Sequence, residues 1–120
     1  REEEFMDIVH VAPTESVSEK LSVRHLTDRL GLTQMRANVF TLGEGSMTRH
    51  AHREQEELYV VLDGTAMMDV DEARYKLGER DALAVPPRAW HRLTNVGVGP
   101  LTFLVVAAPP TVGDAEMDAG

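Results

Sequence analysis

The chain has 120 residues, a length that suits one domain with one hydrophobic core. It has no cysteine, which excludes a disulfide framework and any thiolate metal site. Lys and Arg total 12 against 20 Asp and Glu, and the resulting net charge of −8 argues against nucleic-acid backbones or an anionic membrane as partner.

No run reaches the ~18 apolar residues of a membrane span. The stretch from Leu101 to Pro110 is strand-length and stops at two prolines. REEEFMDIVH lacks the basic start and apolar centre of a secretory leader, so a cytoplasmic protein is expected. Residues 1–33 are polar and mixed. SEKLSVRHLTDRLG, with leucines at 21, 26 and 30, reads either as a short helix or as a strand entering a turn at Gly31.

From Gln34 the pattern is clearer. QMRANVFTL reads as a strand ending in the turn GEG, and SMTRHAH as a short extended piece. ELYVVLDG reads as a strand closed by Asp63-Gly64, a strong turn signal. TAMMDV, RYKLG, ALAVPP, WHRLTN and LTFLVV follow, separated by Gly, Pro or polar turns, and APPTVGDAEMDAG reads as a frayed acidic tail. Eight or so short strands without long helical periodicity predict an all-β antiparallel sandwich or small barrel. Its core is expected over about 34–107, with an N-terminal arm (1–33) and a C-terminal tail (108–120).

Successive strand side chains point to opposite faces. An extended TRHAH therefore places His50 and His52 on one face, and a tight turn over 53–56 returns Glu57 beside His52. Two imidazoles and a carboxylate make a sensible chelate for a divalent first-row metal. His91, in phase with Leu93 and Asn95, is a fourth candidate from a distant strand. Taken alone, an H-x-H pair and an acidic clump are more often solvated surface.

These residues resemble the two motifs of the cupins. GSMTRHAHREQEELYVVLDG carries H-x-H (His50, His52), then Glu57 and Gly64 at the family's spacing; RDALAVPPRAWHRLTN carries Pro86, His91 and Asn95. The departures are Glu44, Arg80 and Arg88 where the family has glycine. Glycine there serves positive-φ turns, so different turns are expected at both arginines. The resemblance implies a jelly-roll barrel, or double-stranded β-helix. It also implies one divalent transition metal (iron, manganese, nickel or zinc) held by His50, His52, Glu57 and His91, with positions left open for a small-molecule substrate, and it implies a homodimer.

Other residues are placed by strand phase. Tyr59 shares the Glu57 face and is a candidate catalytic or substrate-bonding group. Arg36 and Asn38 share a face with Phe40; facing inward they would grip a carboxylate or hydroxyls, and facing outward, the favoured reading, they are solvated. Arg88 is a candidate at the barrel mouth and otherwise an exposed turn residue. Asn95 is expected to brace a loop, Trp90 to point away from His91, and His10 and His25 to lie at the surface. Two functions remain: a metal-dependent enzyme, with dioxygenase-type oxidoreductase chemistry preferred over isomerase or lyase, or a non-catalytic protein that captures a sugar or small acid.

Overall fold

A computed structural model describes residues 8–118; the first seven residues of the expected arm and the last two of the tail lie outside it. Two antiparallel sheets face each other as a jelly-roll barrel. One runs β1 (Glu15–Ser16), β2 (Leu21–His25), β3 (Arg36–Leu42), β11 (Leu101–Ala108), β6 (Glu56–Asp63) and β9 (Ala82–Val85). The other runs β12 (Ala115–Met117), β5 (His50–His52), β10 (His91–Asn95), β7 (Ala66–Val70) and β8 (Ala73–Leu77), with β4 (Gly45–Ser46) also pairing β10.

Period-two alternation sorts the side chains. In β6, Glu57, Tyr59 and Val61 are buried while Leu58 and Leu62 are exposed. The closed half of the barrel is apolar: Phe103, Met68, Leu93, Val61 and Leu101 are almost fully buried, and Phe40 stacks on Phe103 with ring centroids 5.4 Å apart. Fully burying side chains of this size contributes roughly 1.5–3 kcal/mol each. The β6–β7 turn depends on Gly64, which has φ 97°; a Cβ there would meet the Pro100 carbonyl oxygen at 2.7 Å.

Both open readings of SEKLSVRHLTDRLG are realised in succession. Leu21–His25 pairs with β3 as a full member of the first sheet. Helix α1 (Leu26–Leu30) then ends on Gly31 in the left-handed conformation and lays Leu26 on Ala37 and Val39 outside the barrel. The barrel therefore extends beyond 34–107. The C-terminal segment is not frayed: β12 pairs with β5, setting Ala115 opposite His52 and Met117 opposite His50.

The expectation of altered turns at the two arginines is corrected. Arg80 (φ 70°) and Arg88 (φ 72°) both adopt the left-handed conformation that glycine would take. For an L-residue this conformation costs roughly 1–2 kcal/mol, which the surrounding hydrogen bonds hold in place, among them Arg80 N–H to Val61 O at 2.8 Å and Arg88 N–H to His52 O at 2.6 Å. Asn95 braces its loop as expected. Its Nδ2 donates to the carbonyls of Leu42, Gly43 and Gly99, and its Oδ1 accepts from Gly97 N–H.

Candidate metal centre

Three strands from two sheets meet inside the barrel. The β5–β10 register sets His91 directly opposite His50, so both rings point inward, with centroids 4.3 Å apart. His52, two residues on, shares their face. Glu57 reaches across from β6 in the other sheet. His91 Nε2 lies 2.7 Å from Glu57 Oε1, His50 Nε2 lies 3.7 Å from the same oxygen, and His52 Nε2 lies 3.4 Å from Oε2. One donor atom each from His50, Glu57 and His91 falls within a 4.8 Å group that could hold a metal ion. His52 approaches the other carboxylate oxygen and stands outside that group of three.

The tautomers suit ligation. A carbonyl only accepts, so His50 Nδ1–H donates to Thr48 O (2.9 Å) and His91 Nδ1–H donates to Ala89 O (3.0 Å). Each ring is thereby oriented with Nε2 toward Glu57, the arrangement in which a backbone group fixes a metal-ligating imidazole. His91 is 2% exposed and Glu57 6%. Charged groups this deep need partners or a cation, and the donor set of imidazole nitrogen and carboxylate oxygen fits a divalent transition metal without selecting one.

The electrostatics follow from this crowding. Burial pushes the Glu57 carboxyl up, but the imidazoles of His50, His91 and His52 outweigh it and bring the group down to about 2. Burial alone would lower His50; Glu57 and the Thr48 carbonyl reverse this and leave it raised. His52 is lowered, mainly by burial. Tyr59 lies at the same point: its hydroxyl donates to Glu57 Oε1 (3.3 Å) and is 3.2 Å from His91 Nε2. Burial, then the Glu57 charge, raises the phenol well above its ordinary value, so Tyr59 keeps its proton.

The motif reading passes over Asp114. It sits in the C-terminal segment, 7% exposed, and accepts hydrogen bonds from the N–H groups of Glu54 and Gln55. Its Oδ2 lies 3.5 Å from His52 Nδ1. Burial pushes this carboxyl up, but the two N–H donors and the nearby His52 outweigh it, leaving it lowered. Asp114 thus closes the 53–56 turn and stands behind His52. Glu54 and Glu56 are exposed.

Register also settles the phase of β3. Arg36 pairs with Ala107, which pairs with Glu57; Asn38 pairs with Val105, which pairs with Tyr59. Directly paired residues share a face, so Arg36 and Asn38 face the barrel interior, and the favoured solvated reading is corrected. Arg88 is exposed and lines a cleft of about 390 Å³ with Ala51, His52, Arg53, Trp90 and Glu116, so it stands on the side of His52 and not beside Glu57 or His91. Trp90 points away from His91 and carries the Arg49 guanidinium 5.0 Å over its ring. His25 is half-exposed with Glu15 at 4.0 Å, and His10 is exposed.

The family model for the cupin domain matches residues 38–107, which contain all four expected ligands. An uncharacterized protein of Methanocaldococcus jannaschii is 33% identical over 61 residues, covering 51% of this chain and 49% of that protein. A mannose-1-phosphate guanylyltransferase of Salmonella typhimurium is 29% identical over 66 residues, covering 55% of this chain and 14% of that enzyme. The chain therefore matches about half or less of the length of these curated relatives. A solved structure from Silicibacter pomeroyi, described as a sugar phosphate isomerase from a cupin superfamily, superposes with a TM-score of 0.75 at 30% identity, covering 85% of this chain and 68% of that one.

Proposed function

Because this chain belongs to the cupin family, we propose that its His50–His52–Glu57–His91 cluster is the centre of a metal-dependent enzyme acting on a small oxygen-bearing organic substrate. The observation that carries this reading is the convergence of inward-facing imidazoles on one buried carboxylate. A divalent metal there would polarise a chelating substrate or exchange electrons with it. The chain's residues do the rest. His50, Glu57 and His91 would hold the ion, with His52, 3.4 Å from Glu57 Oε2, as the fourth ligand. Tyr59, which keeps its proton, donates a hydrogen bond beside the ligands. Phe103, fully buried and stacked with its ring centroid 6.2 Å from that of Tyr59, keeps that side of the cluster apolar.

Oxygenase-type chemistry is favoured because, among the described residues, the three strands that carry the ligands hold no lysine and no further histidine, and Asp114 already accepts two N–H bonds. A second reading, metal-assisted isomerisation, is supported by the similarity to the Silicibacter pomeroyi protein; there Tyr59 would donate a hydrogen bond to a substrate oxygen. The test is oxygen uptake by iron-loaded protein with catechols, diketones and hydroxy acids, run beside an anaerobic isomerisation assay on sugar phosphates. Substrate-dependent uptake supports the first reading and anaerobic turnover the second. Tight, metal-dependent binding of a sugar or small acid with no turnover in either assay would replace both with a capture role.

A further inference from the structure

Among the described residues, the buried side-chain polar atoms without a hydrogen-bond partner are Arg36 Nε, Asn38 Oδ1, His52 Nδ1 and Thr111 Oγ1. Native proteins leave few such groups, and each calls for a reason. His52 Nδ1 and the Thr111 hydroxyl both have the Asp114 carboxylate nearby. Arg36 Nε and Asn38 Oδ1 have no hydrogen-bond partner among the described residues. They are neighbours on the inner face of β3, in the same rows as Glu57 and Tyr59, and only the small Ala107 stands between Arg36 and Glu57. Two strand spacings place the Arg36 and Glu57 backbones about 10 Å apart. Arg36 also lines a cleft of about 340 Å³ with His52, Gln55 and Asp114, roofed by the C-terminal segment.

We infer that Arg36 and Asn38 form a substrate-anchoring subsite and that its ligand is a short hydroxy monocarboxylic acid. The two orphan atoms are complementary in kind: a guanidinium N–H needs an acceptor, which a carboxylate supplies bidentately, and an amide oxygen needs a donor, which a hydroxyl supplies. A carboxylate on Arg36 leaves the other end of a short acid facing the metal ligands across Ala107. A monoanion suits the cleft better than a phosphate, since Arg36 is its one strong cation and the Asp114 carboxylate lies in its wall. Elsewhere, the chain's net charge of −8 repels anions.

This inference rests on the metal-centre reading, and the experiment separates the two. Manganese-loaded protein, its metal counted by elemental analysis, is titrated with lactate, 3-hydroxybutyrate, the corresponding amides, the corresponding deoxy acids, and glycerol phosphate. At least one hydroxy acid should bind about 10- to 100-fold more tightly than its amide, the range expected for losing a charge-assisted pair. Arg36→Met should abolish that preference at unchanged metal stoichiometry, Arg36→Lys should restore part of it, and Asn38→Leu should erase the preference for hydroxy over deoxy acid. An unpaired buried donor is a burden on the fold, so Arg36→Met should also unfold at equal or higher denaturant than wild type, whereas a purely structural Arg36 would give a less stable variant. Equal binding of acid and amide, tighter binding of glycerol phosphate than of any hydroxy acid, or unaltered binding by Arg36→Met would overturn the subsite while leaving the metal centre intact. Failure of wild type to hold manganese would overturn the reading beneath it.

Discussion

Glu57 contacts three imidazoles and a phenol, and its ionisation ties the site to the stability of the metal-free fold. Its carboxyl titrates at 4.5 by default and at about 2 in the folded protein. Folding therefore favours the ionised form; the contribution is complete above about pH 4.5 and is lost as pH falls toward 2. The shift corresponds to roughly 3 kcal/mol. His50, raised in the fold, acts in the opposite sense: its contribution is present at and below pH 6.5 and is lost as pH rises through its folded value. Urea unfolding of metal-free protein between pH 5 and 2 should show a steep acid limb that flattens in Glu57→Gln; an identical acid limb in the variant would contradict this. The sequence identifies Glu57 over its neighbours through the resemblance, because the cupin motif's six-residue step to Gly64 selects it. Arg80 and Arg88 were harder to read. The residue type argued against positive φ, but the hydrogen bonds that impose it come from Val61 and His52, which are distant in sequence.

At the level of elements, the C-terminal strand is what a motif search misses. Residues 108–120 lack apolar alternation and carry Pro, Gly and acids, so they read as a tail. Only pairing with β5 gives them a role, and only that pairing brings Asp114 behind His52. A carboxylate that bonds a metal-ligating imidazole orients it and raises its basicity; Asp114 Oδ2, 3.5 Å from His52 Nδ1, stands one small adjustment short of that bond. Asp114→Asn, which can still accept from Glu54 and Gln55 N–H, should weaken metal affinity by roughly 10- to 100-fold with the fold intact, as measured by competition against a chromogenic chelator. Unchanged affinity would remove Asp114 from the site. The phase of β3 was hidden for a related reason. Met35, Ala37 and Val39 are apolar on one face and Arg36 and Asn38 polar on the other, which reads as apolar-in. The short helix α1 covers the apolar face from outside, so the polar face is the one turned inward.

At the level of the molecule, strand spacing made an antiparallel sandwich or small barrel legible, because alternation and Gly/Pro turns are local signals; the jelly roll itself came from the resemblance of the two motifs to the cupins. The outer face of the first sheet adds something alternation alone could not rank. Leu58 (40% exposed) and Leu62 (42%) stand there with Val60, Leu104 and Val106, an apolar band of the kind that marks an interface. A homodimer through this face is expected; light scattering should give a dimer for wild type and a monomer for Leu58→Glu, and a monomeric wild type would refute it. The claim on which the rest depends is that the four residues at the barrel mouth hold a metal. Elemental analysis of protein purified without chelator should find about one divalent transition metal per chain in wild type and none in His50→Ala; full occupancy in that variant, or an empty wild type that takes up no metal, would contradict it.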